Sequence, residues 1–274
     1  MARPRDGMAA MMVSGTATLR RRSWHATAAA IGVVLAIGSD IAGAQPTQAA
    51  RIYNGLPTMA YQAVVAVGIS NGDGGAGLCS GSLIAPSVVL TAGHCLSFDP
   101  IDAVVAIFPD GVNEVDIRAA RWEVHPEFDI DRIAVADVAA IVLERPVTDV
   151  TPLSLVSVPP RPRSRGAIVG FGDDALSGTG IKRAGRVRLA RCPHALRKIG
   201  IGPGQLDGSL CWRPKRRGQD TCHGDSGGPL LVDGVLAGVT SGGFPNCPGR
   251  LSWDTSVAAV RPWIDDVLSR ANTP

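Results

Sequence analysis

The segment Asp220-Thr221-Cys222-His223-Gly224-Asp225-Ser226-Gly227-Gly228-Pro229 sets a hydroxyl nucleophile among glycines, beside a carboxylate. Small neighbours let a substrate carbonyl approach the backbone closely. The backbone N–H groups of Gly224 and Ser226 can then both face a developing oxyanion, and losing one such donor typically costs about 3–4 kcal/mol of transition-state stabilisation. Serine alone is a weak nucleophile and needs a base. The same residues fit the G-x-S-x-G turn of the α/β-hydrolases, in which the histidine follows the serine along the chain. That order is closed here, because His25, His94, His125, His194 and His223 all precede Ser226. The base comes from upstream.

His94 is the candidate. It lies in Thr91-Ala92-Gly93-His94-Cys95, directly after the apolar run Val88–Leu90, and so at the end of an expected strand. His125 precedes a proline and His194 follows Cys192-Pro193, both loop contexts. His25 falls in an export signal, and His223 is too near Ser226 in sequence to be presented independently.

The elements that must position these groups read as short strands. Gln62–Ile69, Gly81–Ile84, Val88–Thr91, Ala103–Phe108 and Val138–Leu143 are apolar or alternating runs, and Gly, Pro, Asn and Asp punctuate them. Ala167–Val169, Val187–Leu189, Pro229–Val232, Val235–Thr240 and Leu251–Val257 repeat the texture in the second half. With 33 Gly and 20 Pro in 274 residues, this pattern indicates an all-β chain of sandwiches or barrels. Residues 258–270 differ: Val260, Trp263, Ile264, Val267 and Leu268 recur at helical spacing, so a terminal helix should dock that stripe on the second barrel. Pro159-Pro160-Arg161-Pro162-Arg163 is stiff and suits a linker between the halves, 52–158 and 159–274.

The formal charge of +3 is concentrated at the start. Taking the six Arg and two Asp of residues 1–51 from the totals of 27 and 24 leaves 21 basic and 22 acidic residues, so nothing points to nucleic acid. Residues 1–44 read as a signal peptide: Arg20-Arg21-Arg22, an apolar stretch from Ala26 to Ile37, then Ala42-Gly43-Ala44 as a small-x-small cleavage site. Asp40 ends the apolar run short of the ~20 residues a membrane span needs. The expectation is export to an extracellular or periplasmic space, with no membrane attachment afterwards. Cys79, Cys95, Cys192, Cys211, Cys222 and Cys247 all follow the signal, and an even count in an exported chain reads as disulfides. Six cysteines allow fifteen pairings, and spacing does not choose among them. No Cys/His spacing suits zinc, so no metal and no cofactor is expected.

Thr91–Cys95 and Gly224–Pro229 together resemble the T-A-x-H-C and G-D-S-G-G-P signatures of the trypsin/chymotrypsin family of serine proteases. The resemblance extends over residues 52–271 and includes Ile52–Gly55, Cys79–Ile84, His125–Phe128, Asp137–Leu143, Gly170-Phe171-Gly172 and Trp263-Ile264. It implies two six-stranded antiparallel β-barrels with a C-terminal helix and a cleft between the barrels. It further implies a catalytic triad of His94, Asp137 and Ser226, with Gly224 and Ser226 as the oxyanion hole. Asp137 heads an apolar strand, where a carboxylate can be buried against an imidazole; Asp129 and Asp131 are its rivals. A propeptide, residues 45–51, would be removed by cleavage at Arg51-Ile52, and the new ammonium of Ile52 would pair with Asp225. Asp220 would lie at the base of the primary pocket and select Arg or Lys, with Thr221, Ser241, Gly243 and Ser252 around it. Two departures stand out: Gly242 occupies a position where the family usually has Trp, and Ser252 one where Gly is usual. The family pattern pairs Cys79 with Cys95, Cys192 with Cys211, and Cys222 with Cys247. Its partners would be protein or peptide substrates and protease inhibitors, met by a monomer.

Overall fold

The computed structural model describes residues 51–271, apart from 72–74, 110–113, 133, 173–179, 216–217 and 245. The expected signal peptide and residues 45–50 of the expected propeptide lie outside the described residues. The chain is mostly β. After Arg51–Asn54, where Ile52 and Tyr53 lack helical dihedrals, and the short strand β1 (Leu56–Pro57), six strands follow: β2 (Val64–Ser70), β3 (Ala76–Ala85), β4 (Val88–Thr91), β5 (Ala103–Pro109), β6 (Glu114–Val124) and β7 (Ala139–Leu143). They close a barrel in the order β2-β3-β4-β7-β6-β5, with β5 pairing back onto β2. The second half holds β8 (Arg165–Gly170), β9 (Arg183–Ala190), β10 (Ser209–Trp212), β11 (Pro229–Val232), β12 (Val235–Gly243) and β13 (Ser252–Ser256). With β1 these form a seven-stranded sheet, β1-β9-β10-β13-β12-β11-β8, and an extra pairing of β8 with β9 joins the ends of its last six strands. Among the described residues the named strands all pair antiparallel, and a single parallel bridge joins Leu155 to Leu236 of β12.

Strand periodicity explains how one half meets the other. Successive side chains of a strand point to opposite faces. Val65, Val67, Val89 and Ile141 fill the first barrel, while their neighbours Val64, Ala66, Leu90 and Ala140 pack outward against Val169, Phe171, Leu231 and Leu236 of the second half. β4 and β7 are therefore buried on both faces, which is why they read as continuous apolar runs. The second half keeps its own core around Ile168, Leu210, Trp212 and Leu230.

β6 lies outside the expected strands, and one expectation needs adjustment. β6 carries no simple alternation, because its register shifts between Ala119 and Arg121. Ile117 and Ala119 face the core before the shift, and Trp122 and Val124 after it, so the apolar phase changes from odd to even positions. The C-terminal helix, Arg261–Ala271, does not dock on the second barrel alone. Ile264 and Val267 enter a core shared with Val138 and Ala140 of the first, and Arg270 pairs with Glu123 at 2.9 Å.

Candidate active site

Asp137 precedes β7 and is fully buried. Its Oδ1 accepts the backbone N–H of His94 at 2.8 Å, and its Oδ2 lies 2.7 Å from His94 Nδ1. Ser241, on β12, donates its hydroxyl to the same Oδ2 at 2.7 Å, and Thr255, on β13, donates to the Asp137 carbonyl at 2.9 Å. Both halves of the chain therefore hold this one residue. His94 sits in a short 3₁₀ turn, Gly93–Leu96, that follows β4, and its side chain stays partly exposed. A Cβ on Gly93 would fall 3.0 Å from Phe128 and 3.2 Å from Asp137 Oδ1, so a side chain there would have to push these neighbours back slightly.

The loop before β11 presents Ser226. Gly224 and Gly227 have φ of 86° and 82°, a region that side-chain-bearing residues avoid. Ser80, on β3, anchors the loop to the first barrel. Its N–H donates to the Ser226 carbonyl at 2.7 Å and its hydroxyl to the Gly224 carbonyl at 2.9 Å, while Phe171 N–H donates to that hydroxyl at 2.9 Å. His94, Gly224 and Ser226 line one cavity of about 400 Å³. Ser226 also lines a second, of about 200 Å³, walled by Thr221, Thr240, Ser241, Gly242, Gly243 and Phe244.

The rival residues lie apart from this arrangement. His125 packs against Trp263 at 5.1 Å between ring centroids, with the rings tilted by 58°, and burial lowers its pKa. Asp129 pairs with Arg132 at the surface, and Asp131 donates its N–H to Asp129.

Asp220 precedes Thr221 of the second cavity but does not line it, and is only 1% exposed. Its Oδ1 accepts from Ser252 Oγ at 2.6 Å, Thr221 N at 3.0 Å and Trp212 Nε1 at 3.1 Å, and its Oδ2 from Gly249 N at 2.8 Å. Burial pushes its pKa up against these bonds. Ser252 thus turns its hydroxyl onto Asp220. Asp225 is wholly buried, with Gly172 N–H on Oδ1 at 2.8 Å and Cys222 N–H on Oδ2 at 2.9 Å. Burial raises its pKa to about 7 against these two bonds, and the Asp220 charge adds to the rise. Ile52 is fully buried beside Ile168 and Trp212, at φ 37°, an unusual value for a β-branched residue.

The cysteines are joined as Cys79–Cys95, Cys192–Cys211 and Cys222–Cys247. The last bond takes up both sulfurs of the Cys222, His223 and Cys247 cluster, so that group cannot serve as a three-ligand metal site.

A family model described as Trypsin matches residues 52–264. The chain belongs to the trypsin family. It is similar to the platelet-aggregating proteinase PA-BJ of Bothrops jararaca, 34% identical over 72% of this chain and 86% of that protein. Brachyurin of Leptuca pugilator is 33% identical over 67% of this chain and 89% of its own length. Among solved structures, neuropsin from mouse brain superposes with a TM-score of 0.64 at 25% identity, covering 78% of this chain and 96% of neuropsin. This trypsin-family chain is accordingly a serine protease, a hydrolase acting on peptides or proteins. Sequence reasoning did not single out Ser80, Thr255 or the hydroxyl contact of Ser241 with Asp137. Each becomes meaningful only when strands from the two halves meet. Nor did it single out Asp254, wholly buried on β13 opposite Thr240.

Proposed function

We propose that this protease is exported as an inactive precursor, is cut at Arg51–Ile52, and then cleaves peptide bonds after Arg or Lys as an endopeptidase. The observation that carries the catalytic reading is the 2.7 Å contact of His94 Nδ1 with the buried Asp137, on a cavity that Ser226 shares. In this reading His94 Nε2 takes the Ser226 proton as Oγ attacks the substrate carbonyl. Gly224 N–H and Ser226 N–H hold the oxyanion. The leaving amine takes the proton from His94, and water then hydrolyses the acyl-enzyme by the same steps in reverse roles. Asp137 keeps the imidazole oriented and stabilises its charged form.

Activation is supported by Asp225, a buried carboxylate whose hydrogen-bond partners among the described residues are two N–H groups and no cation. An ammonium released at Ile52 would supply the missing charge; breaking such a buried pair commonly costs about 3–5 kcal/mol. Cutting the bond also frees the φ of Ile52. Basic specificity is supported by Asp220, a buried carboxylate next in sequence to Thr221 of the Ser226 cavity, which a substrate cation reaching it would pair. Export is supported by the Arg-flanked apolar start of the chain and by three disulfides. Among the described residues no helix is long and apolar enough to cross a membrane. The protease acts as a monomer in this reading, its cleft built by one chain, and inhibitors would compete for that cleft.

The test is fluorophosphonate labelling and ester hydrolysis before and after cleavage at Arg51. Labelling of Ser226 that rises sharply on cleavage, with Arg and Lys esters preferred over Phe, is the expected result. Equal labelling of the uncut chain would remove the activation step, and a preference for Phe esters would remove basic specificity.

A further inference from the structure

Three residues that hold the backbone around Asp137 also line a cavity away from the Ser226 cleft. Ala136, immediately before Asp137, has φ of 47°, an uncommon value for a residue with a side chain. Thr255, on β13, donates its hydroxyl to the Asp137 carbonyl at 2.9 Å. His125, directly after β6, donates its backbone N–H to the Val138 carbonyl at 3.0 Å. The cavity these residues share has a volume of about 340 Å³, and neither His94 nor Ser226 lines it.

Its walls favour one kind of charge. Among the described lining residues the carboxylates are Glu127 and Asp207, and there is no lysine or arginine. Both carboxylates are exposed, and neither forms an ion pair with a described residue. His125 Nδ1 accepts the Glu127 N–H at 3.1 Å, which only the neutral ring can do, and burial lowers its pKa. The Trp263 indole packs beside that ring, on the C-terminal helix. Apart from Thr255, every other lining residue is Ala, Val, Pro or Gly. Two carboxylates without a cation, next to an indole, attract an ammonium, and the apolar remainder accepts a hydrocarbon body. The volume lies at the lower end of the ~300–1,000 Å³ that ligand pockets span, which leaves room for one ring and a short chain.

We propose that this cavity binds a small arylalkyl ammonium ion, and that its occupancy slows proteolysis through Asp137. Glu127 and Asp207 take the ammonium, and the ring packs against Trp263. The binding is independent of the proposed catalytic roles, whereas the effect on turnover rests on them. In that reaction His94 becomes positively charged in the transition state, and a cation seated against the Asp137 backbone opposes that charge.

Phenethylamine is the probe. Calorimetric titration of the uncut chain should show one saturable site. The double variant Glu127→Gln, Asp207→Asn, changed only at exposed positions and checked by its melting curve, should bind at least about ten-fold more weakly. Acetyl-lysine methylamide, which stands for a lysine side chain of a polypeptide, should bind more weakly than phenethylamine. After cleavage at Arg51, saturating phenethylamine should lower kcat on an Arg ester several-fold in the parent and leave the double variant unmoved. An amine that instead enters beside Asp220 would raise KM in both. Absent binding, or binding equal in the double variant, would overturn the site. Tighter binding of the lysine derivative would overturn the small-molecule assignment, and an unchanged kcat in the occupied parent would overturn the coupling to Asp137. A cleaved chain that hydrolyses no ester would remove the catalytic reading, and the coupling with it, while the calorimetry would still decide the site.

Discussion

Ser241 Oγ donates to Asp137 Oδ2 at 2.7 Å, across 104 residues of sequence and from the opposite half of the chain. The carboxylate oxygen that faces His94 Nδ1 is thus also held by β12, the strand that walls the smaller cavity. Orientation of the imidazole and the wall of the smaller cavity share one hydrogen bond.

Ser241→Ala should therefore lower kcat/KM without unfolding the protein. A hydrogen bond to a charged group is worth about 1.5–3 kcal/mol, which corresponds to a loss of roughly ten- to hundred-fold. Steady-state kinetics beside a melting curve test this. A variant with unchanged kcat/KM would show that the Asp137 contact carries no catalytic weight.

Asp225 should make the uncut precursor lose stability as pH rises. Its folded pKa is raised to about 7, above the ordinary carboxylate value. A raised carboxyl contributes its stability below the unfolded pKa and loses it as pH climbs through the folded one. Denaturation of the precursor between pH 4 and pH 8 should show a decline of a few kcal/mol that Asp225→Asn flattens. Once Arg51 is cut, Asp225→Asn should be inactive. Parallel pH curves for the two precursors would contradict this account.

Asp254 offers a related test outside the proposed chemistry. Burial and the Asp220 charge push its pKa well up, neither oxygen has a hydrogen-bond partner of good geometry, and the Thr240 hydroxyl opposite partly offsets the burial. The same sign applies, so Asp254→Asn should stabilise the fold at pH 7, and the gain should shrink toward pH 4. Destabilisation by the substitution at pH 7 would mean that the carboxylate has a cationic partner.

Gly242 and Trp253 are cross-strand neighbours, and a Cβ on Gly242 would fall 2.6 Å from the Trp253 ring. The volume of the family's usual tryptophan is thus supplied from the next strand. Gly242→Trp should cost about 1–3 kcal/mol or more by overpacking. Combined with Trp253→Val it should cost less than the sum of the single changes, with a coupling of about 0.5–3 kcal/mol in thermal denaturation. Additive losses would rule out the exchange.

The sequence by itself determined the local chemistry and the strand texture. The loops around His94 and Ser226 are legible because their geometry is written in adjacent residues: an apolar run that ends at the histidine, and glycines at φ values other residues avoid. The doubly buried strands are legible because burial on both faces leaves an unbroken apolar run. β6 was hidden because a register shift reverses its phase midway. Tertiary structure alone decided that Ser80 would anchor the Ser226 loop, that Ser241 would meet Asp137, that Trp253 would fill the space over Gly242, and that a cavity would open beside Ala136 and Thr255. Such contacts depend on which strands pair and in what register, and register is a collective result of barrel closure rather than a property of any short segment.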